Sequence, residues 1–336
     1  MEQREKVESI RCDTGREFLA LLRRSNELWE RKGADAQWIF RGQSNADWPL
    51  RPRLWRPTVW SEEAGAVDSL NRSWTDGLMK KLESNLHWQG EHGGPFGELF
   101  TDLDQEWVKK SLFPAGKFAL PLHRVREVIR AWAAEERMVR RFMEIADELG
   151  YPVGGPMKAG NLDLGQVVRW DLPTGIEFAQ HHGLPTRVLD WTRKPEIAAF
   201  FAAGDARSTS GEMAVYALHE SAWSKSRPDA VSWQVQVLAP KRSNHSYLHA
   251  QESLFTWLKN GEIDYLLTES WPSLESKVGS GLVKLVLPRS EAPELKRLLW
   301  RERVSQAHLM PTYDNIAGVL KERWAVESAE LDTSRG

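Results

Sequence analysis

Apolar positions recur along this chain in two rhythms, one of helical and one of strand spacing. Phe18, Leu21, Leu22 and Leu28 fall at helical intervals behind Thr14, which forms a capping-box pattern with Glu17, and Gly33 closes the segment. Trp38-Ile39-Phe40 reads as a short buried strand. From about Leu122 to Leu149, Val125, Ile129, Trp132, Met138, Phe142 and Ile145 mark the buried side of a long helix whose outer side is dense in Glu and Arg. Arg187-Val-Leu-Asp-Trp191 reads as a strand, and Pro195 to Ala203 as a buried helix, apolar on every side, with Pro at its first position and Gly204 at its exit. Strands are expected in "GEMAVYALHE", "VSWQVQVLAP" and "GLVKLVLP" (281–288), and helices near 291–303 and 312–324. Strands and helices alternate without regular βαβ spacing, which predicts an α+β fold.

The pattern weakens between these elements. Residues 65–90 look helical but poorly patterned, and 90–120 carry Gly and Pro in the manner of an insertion. The sharpest break is "GYPVGGPMKAGN" at 150–161. The expected organisation is an N-terminal helix (1–34), a core formed by 35–60 and 160–326, a mostly helical insertion (61–159) and a disordered tail (327–336).

Composition narrows the classes. A 336-residue chain with net charge -2 has no overall basicity to drive indiscriminate nucleic-acid binding. Its single cysteine, Cys12, excludes an internal disulfide and a cysteine-based metal cluster. No window approaches a membrane span, and the start lacks the apolar run of a signal peptide, so a cytoplasmic protein with no membrane contact and no metal is expected. The 17 Trp are read as packing residues.

Two segments carry polar chemistry on apolar elements. In "WIFRGQ" (38–43) Arg41 ends an apolar strand and requires an anionic partner, with Gly42 and Gln43 following. In "QHHGLPTRVLDWT" (180–192), strand alternation sets Thr186, Asp190 and Thr192 against Arg187 and Trp191, after Gln180, His181 and His182. Such a density of donors suits a pocket wall. Other readings stay open: an Arg41–Asp190 staple in a mere scaffold, core histidines, or a hydrolase pairing His181 or His182 with Asp190. "RPRLWR" (51–56) reads as a solvated loop before it reads as a contact for a phosphodiester backbone.

These motifs, with "EERMVRRF" (135–142) and "YLHAQESLFTWL" (247–258), resemble the FRG domain family, whose hallmark tripeptide is Phe40-Arg41-Gly42 here. More distantly, the arrangement resembles the ADP-ribosyltransferase fold, implying a small mixed or antiparallel β core flanked by helices. That resemblance implies a nucleotide pocket with NAD as substrate, in an effector of toxin or anti-phage defence type acting on a protein or nucleic-acid target. Arg41, Gly42, Gln43, Gln180, Thr186, Arg187 and Thr192 would hold the nucleotide, and Arg41, His181, Asp190, Gln251 and Glu252 would serve the chemistry. The glutamate pair expected in such transferases is replaced by His249-Ala-Gln251, with Glu252 beside it. An amide does not ionise, so Gln251 in the pocket favours binding, whereas Glu252 there favours turnover.

Overall fold

The computed structural model describes residues 7–30, 37–56, 76, 80, 121–151, 172–204, 210–224, 234–240 and 250–333. Most of the expected insertion, the break after Gly150 and Gly33 lie outside them. The strands are β1 (Glu8–Arg11), β2 (Trp38–Gln43), β3 (Val188–Thr192), β4 (Glu212–His219), β5 (Gln234–Leu238), β6 (Ser253–Lys259) and β7 (Leu282–Pro288). The helices that matter here are α1 (Gly15–Leu22), α2 (Leu122–Glu148), α3 (Ile176–His181), α4 (Pro195–Ala203), α5 (Gly261–Thr268), α6 (Ala292–Arg301) and α7 (Tyr313–Thr333). The strands form one mixed sheet in the order β1-β7-β4-β2-β3-β6-β5, parallel only between β1 and β7. The fold is therefore α+β.

Alternation along the strands divides the interior. Phe40, Val215 and Leu285 face α1, α4 and α6, which supply Phe18, Ala198 and Leu295. Ile39, Tyr216, Leu189 and Leu254 face the opposite side and pack with Leu50, Leu54 and Trp55. A third cluster joins Val188 and Phe255 to Val139 of α2 and Ala179 of α3. Among the described residues, Trp29, Trp38, Trp55, Trp132, Trp191 and Trp257 are buried and serve this packing.

Three expectations change. The N-terminal segment adds an edge strand, β1, and its helix stops at Leu22, although Thr14 caps it as the pattern requires, accepting from the Glu17 N–H. Beyond Leu22 the chain kinks, and Leu28 sits in a short 3-10 turn. Helix α2, assigned by sequence to the insertion, is built into the core through Val125, Ile129 and Trp132. Helix α7 runs to Thr333, past residue 327 where a tail was expected.

Arg187 is the reason α2 cannot be peripheral. Sequence reasoning placed this residue among the nucleotide contacts, but its side chain is 2 % exposed and takes no part in the cavity that opens beside β2. Its Nε donates to Glu135 of α2 at 2.6 Å and its Nη1 to Glu262 of α5 at 3.1 Å. The Arg187 backbone N–H also donates to Glu135, and Trp132 Nε1 donates to Glu262. Burial works against the guanidinium charge, but the two carboxylates outweigh it and raise its pKa. Burial likewise pushes Glu135 up against the pull of Arg187. A strand, a long helix and a short helix thus meet at one buried charge cluster. Arg187, expected among the nucleotide contacts, is instead fully buried away from the cavity, because its charge is held by two buried carboxylates.

Gly42 sets the other critical contact. A Cβ there would stand 2.0 Å from the Ala198 carbonyl oxygen and 2.5 Å from the Ala202 nitrogen, so α4 lies directly on β2. Only a residue without a side chain allows that approach.

Two outcomes are expected. Gly42→Ala destabilises the protein by about 3 kcal/mol or more in urea unfolding, because the obstacle is helix backbone that cannot yield. Arg187→Ala loses about 3–5 kcal/mol by stranding two buried carboxylates, and adding Glu135→Leu and Glu262→Leu recovers most of it.

Candidate functional site

Strand β2 is held unequally on its two sides. It pairs with β4 over all six residues, Trp38 to Gln43, but meets β3 at the single pair Phe40↔Thr192. Where the two strands part, a cavity of about 310 Å³ opens, walled by β2, β3, α3, α4 and the turn before β6. Because β2 continues to Gln43, Arg41 and Gln43 share the face opposite Gly42.

Arg41 crosses the gap. Its Nη1 donates to the Asp190 carbonyl at 2.8 Å and lies 3.6 Å from the Asp190 carboxylate, 149 positions away in sequence. Its Nε is buried and has no acceptor among the described residues. Burial lowers the Arg41 pKa, opposed by Asp190. Arg56 lines the same cavity, and its Nε donates to the Arg51 carbonyl at 3.0 Å. Its pKa is pushed down to about 10, first by burial and then by repulsion from Arg41, Arg53 and Arg51, with Asp190 pulling the other way. Among the described residues lining the cavity, one carboxylate, Asp190, faces two guanidiniums, Arg41 and Arg56.

Asp190 is oriented by a short relay. Gln180 Nε2 donates to its carboxylate at 2.6 Å, and the Thr186 hydroxyl donates to Gln180 Oε1. The carboxylate is 44 % exposed and is engaged by Gln180 and Arg41, not by either histidine, so the His–Asp acid–base pair is not formed. His181 lines the cavity, while His182 packs against Phe142. Thr186 is fully buried and acts on the site only through Gln180.

The turn before β6 decides between Gln251 and Glu252. Gln251 lines the cavity, is 5 % exposed, and its Nε2 has no partner among the described residues. Its carbonyl accepts from the Thr192 hydroxyl at 2.6 Å, which fixes the turn to the end of β3. Glu252 adopts a left-handed conformation, φ 43°, and its carboxylate turns to Lys194 at 3.2 Å. Glu252 does not line the cavity, so a part for it in the chemistry has no support from this geometry. The divergence arises from the turn, since β6 begins only at Ser253.

Several lining residues escaped sequence reasoning. Arg56 was read within a solvated loop, but Leu54 and Trp55 beside it are fully buried and pull it inward; the apolar pair inside "RPRLWR" was the available signal. Phe201 follows Ala198 by three residues on α4, a spacing that could have shown it. Trp48 stands at the cavity because Gln43 Nε2 donates to its carbonyl at 2.8 Å. Met310 offered no signal. Among the described residues, no group of three His, Cys, Asp or Glu converges as metal ligands, and no helix is long and apolar enough to cross a membrane.

Residues 118–211 match the family model described as FRG domain, so the chain carries that domain. The matched stretch contains α2, α3, β3 and α4, hence Asp190, Gln180 and the Arg187–Glu135 pair, while Phe40-Arg41-Gly42 lies outside it. No curated protein and no solved structure matches the chain.

Crowded cations imply a trade between stability and binding. Arg56→Gln is expected to leave the free protein equally stable or more stable, by about 1 kcal/mol at most, because it relieves repulsion at a partly exposed site. The same change weakens binding of any anionic ligand, as read by calorimetric titration.

Proposed function

We propose that this FRG-domain chain holds a nucleotide in the cleft between β2 and β3, with NAD or a close relative as the ligand. The observation that carries the reading is a pair of buried donors lining one cavity, Arg41 Nε and Gln251 Nε2, neither with an acceptor among the described residues. A buried donor without an acceptor costs about 1–3 kcal/mol, and a ligand oxygen that accepts from it recovers that cost. Beside them, Arg41 and Arg56 supply the positive charge that a phosphate requires, in the forked geometry that matches its oxygens. The distant resemblance to ADP-ribosyltransferases agrees with an Arg on a short strand gripping phosphate or ribose.

Binding is favoured over transfer, because the residue facing the cavity from the turn before β6 is the amide Gln251. A second reading, turnover of NAD, is favoured by Asp190, the carboxylate on the cavity wall. Loss of nicotinamide develops positive charge on the ribosyl carbon, and a half-exposed carboxylate nearby is the group that stabilises it. In this reading Asp190 takes the part that Glu252, tied to Lys194, does not play.

The test combines NAD titration with chromatographic detection of nicotinamide. Saturable binding is expected, weakened in Arg41→Ala by roughly tenfold or more, the loss of a charge-assisted hydrogen bond. Under the second reading, Asp190→Asn lowers nicotinamide release by about 100-fold or more while Glu252→Gln leaves it unchanged. Equal NAD affinity in wild type and Arg41→Ala, or none in wild type, refutes the proposal.

A further inference from the structure

The apolar side of the same cleft assigns a part of the ligand that the arginines cannot. Trp48 and Phe201 both line the cavity, yet they are 49 % and 44 % exposed, unlike the great majority of large apolar side chains in the described residues. Met310 joins them from a third segment. The backbone that carries both rings is anchored by the protein. Gln43 holds the Trp48 backbone, and Phe201 rides on α4, the helix clamped against Gly42, with its ring edge-on to Phe200 at 5.6 Å. Aromatic faces left open beside a pair of arginines are the surfaces on which a planar ring stacks. An inorganic anion or a bare sugar phosphate would leave them wet.

The size of the space limits how much of a ligand can enter besides the ring. At about 310 Å³ the cavity lies at the small end of the range for ligand pockets, roughly 300–1,000 Å³. Resting on the proposed nucleotide site, we propose that the cleft encloses one nucleoside monophosphate unit. Its base lies on Trp48 and Phe201, its phosphate on Arg41 and Arg56, and its ribose hydroxyls donate to Asp190. The carboxylate repels phosphate and attracts neutral hydroxyls, which sets the direction of the ligand. A dinucleotide enters through one of its halves and leaves the other outside.

Calorimetric titration with NAD, AMP, nicotinamide mononucleotide and ribose 5-phosphate tests this, using wild type, Trp48→Ala and Phe201→Ala. Both substitutions are at half-exposed side chains, and a melting curve for each checks that the fold is kept. At least one mononucleotide is expected to bind comparably to NAD, with ribose 5-phosphate weaker. Each aromatic substitution is expected to weaken that mononucleotide by roughly tenfold, one stacking contact, and to leave ribose 5-phosphate unchanged. If NAD binds about 100-fold tighter than either mononucleotide, or if ribose 5-phosphate equals the mononucleotides, this inference falls and nucleotide binding stands. If no nucleotide binds to wild type, both fall together.

Discussion

A strand paired on one side and released on the other is the constraint on which the site depends. Along β2, six residues are paired to β4, and one, Phe40, is paired to β3. A strand in mid-sheet ordinarily has its polar backbone paired on both sides and leaves no room beside it. Here the parting of β2 from β3 makes an interior gap, and the Arg41 guanidinium, not a strand neighbour, reaches the Asp190 carbonyl across it. The gap is kept from closing by its walls. Helix α4 is seated on Gly42, and the Arg187 cluster binds β3 to α2 and α5. One arginine spans the opening, while another, fully enclosed, holds its far wall.

Charge and hydrogen bonding then divide the labour among residues that lie close in sequence. Arg187 and Asp190 are three positions apart, yet the first is sealed and the second is half exposed. Two carboxylates suffice to satisfy Arg187, so it contributes stability and nothing to a ligand. Asp190 is shared between Gln180 and Arg41, and Arg56 feels its pull without a direct contact among the described residues. Among the described residues the cavity thus combines two guanidiniums beside one carboxylate, an amide donor without acceptor and two open aromatic faces. Each feature is unfavourable in the free protein, and each is relieved by the same kind of molecule, a planar ring bearing phosphate.

The legible part of the fold was what local pattern controls. The helix from Pro195 to Ala203 and the cap at Thr14 match the structure, because proline, the capping box and an all-apolar helix are signals carried within a few residues. The two loaded segments do converge, and Arg41, Gln43, Gln180, His181, Asp190, Thr192 and Gln251 all line one cavity. What could not be read was direction at long range. Strand alternation put Arg187 and Asp190 on opposite faces, but nothing local said that Glu135 and Glu262, 52 and 75 positions away, would seal the former. Nor does alternation apply at Gln251 and Glu252, where a left-handed turn, not a strand, sends the carboxylate to Lys194. That helix α2, expected within 61–159, packs into the core could not be read locally, because the contact runs through that same buried cluster.

The most direct test of the central claim is a crystal structure of the protein grown with AMP. The account predicts phosphate density within hydrogen-bond distance, about 2.7–3.2 Å, of Arg41 and Arg56, with Gln251 donating to a ligand oxygen and the adenine against Trp48 or Phe201. A cleft without ligand, with β2 and β3 zipped together and the Gln251 amide satisfied by the protein itself, would contradict it.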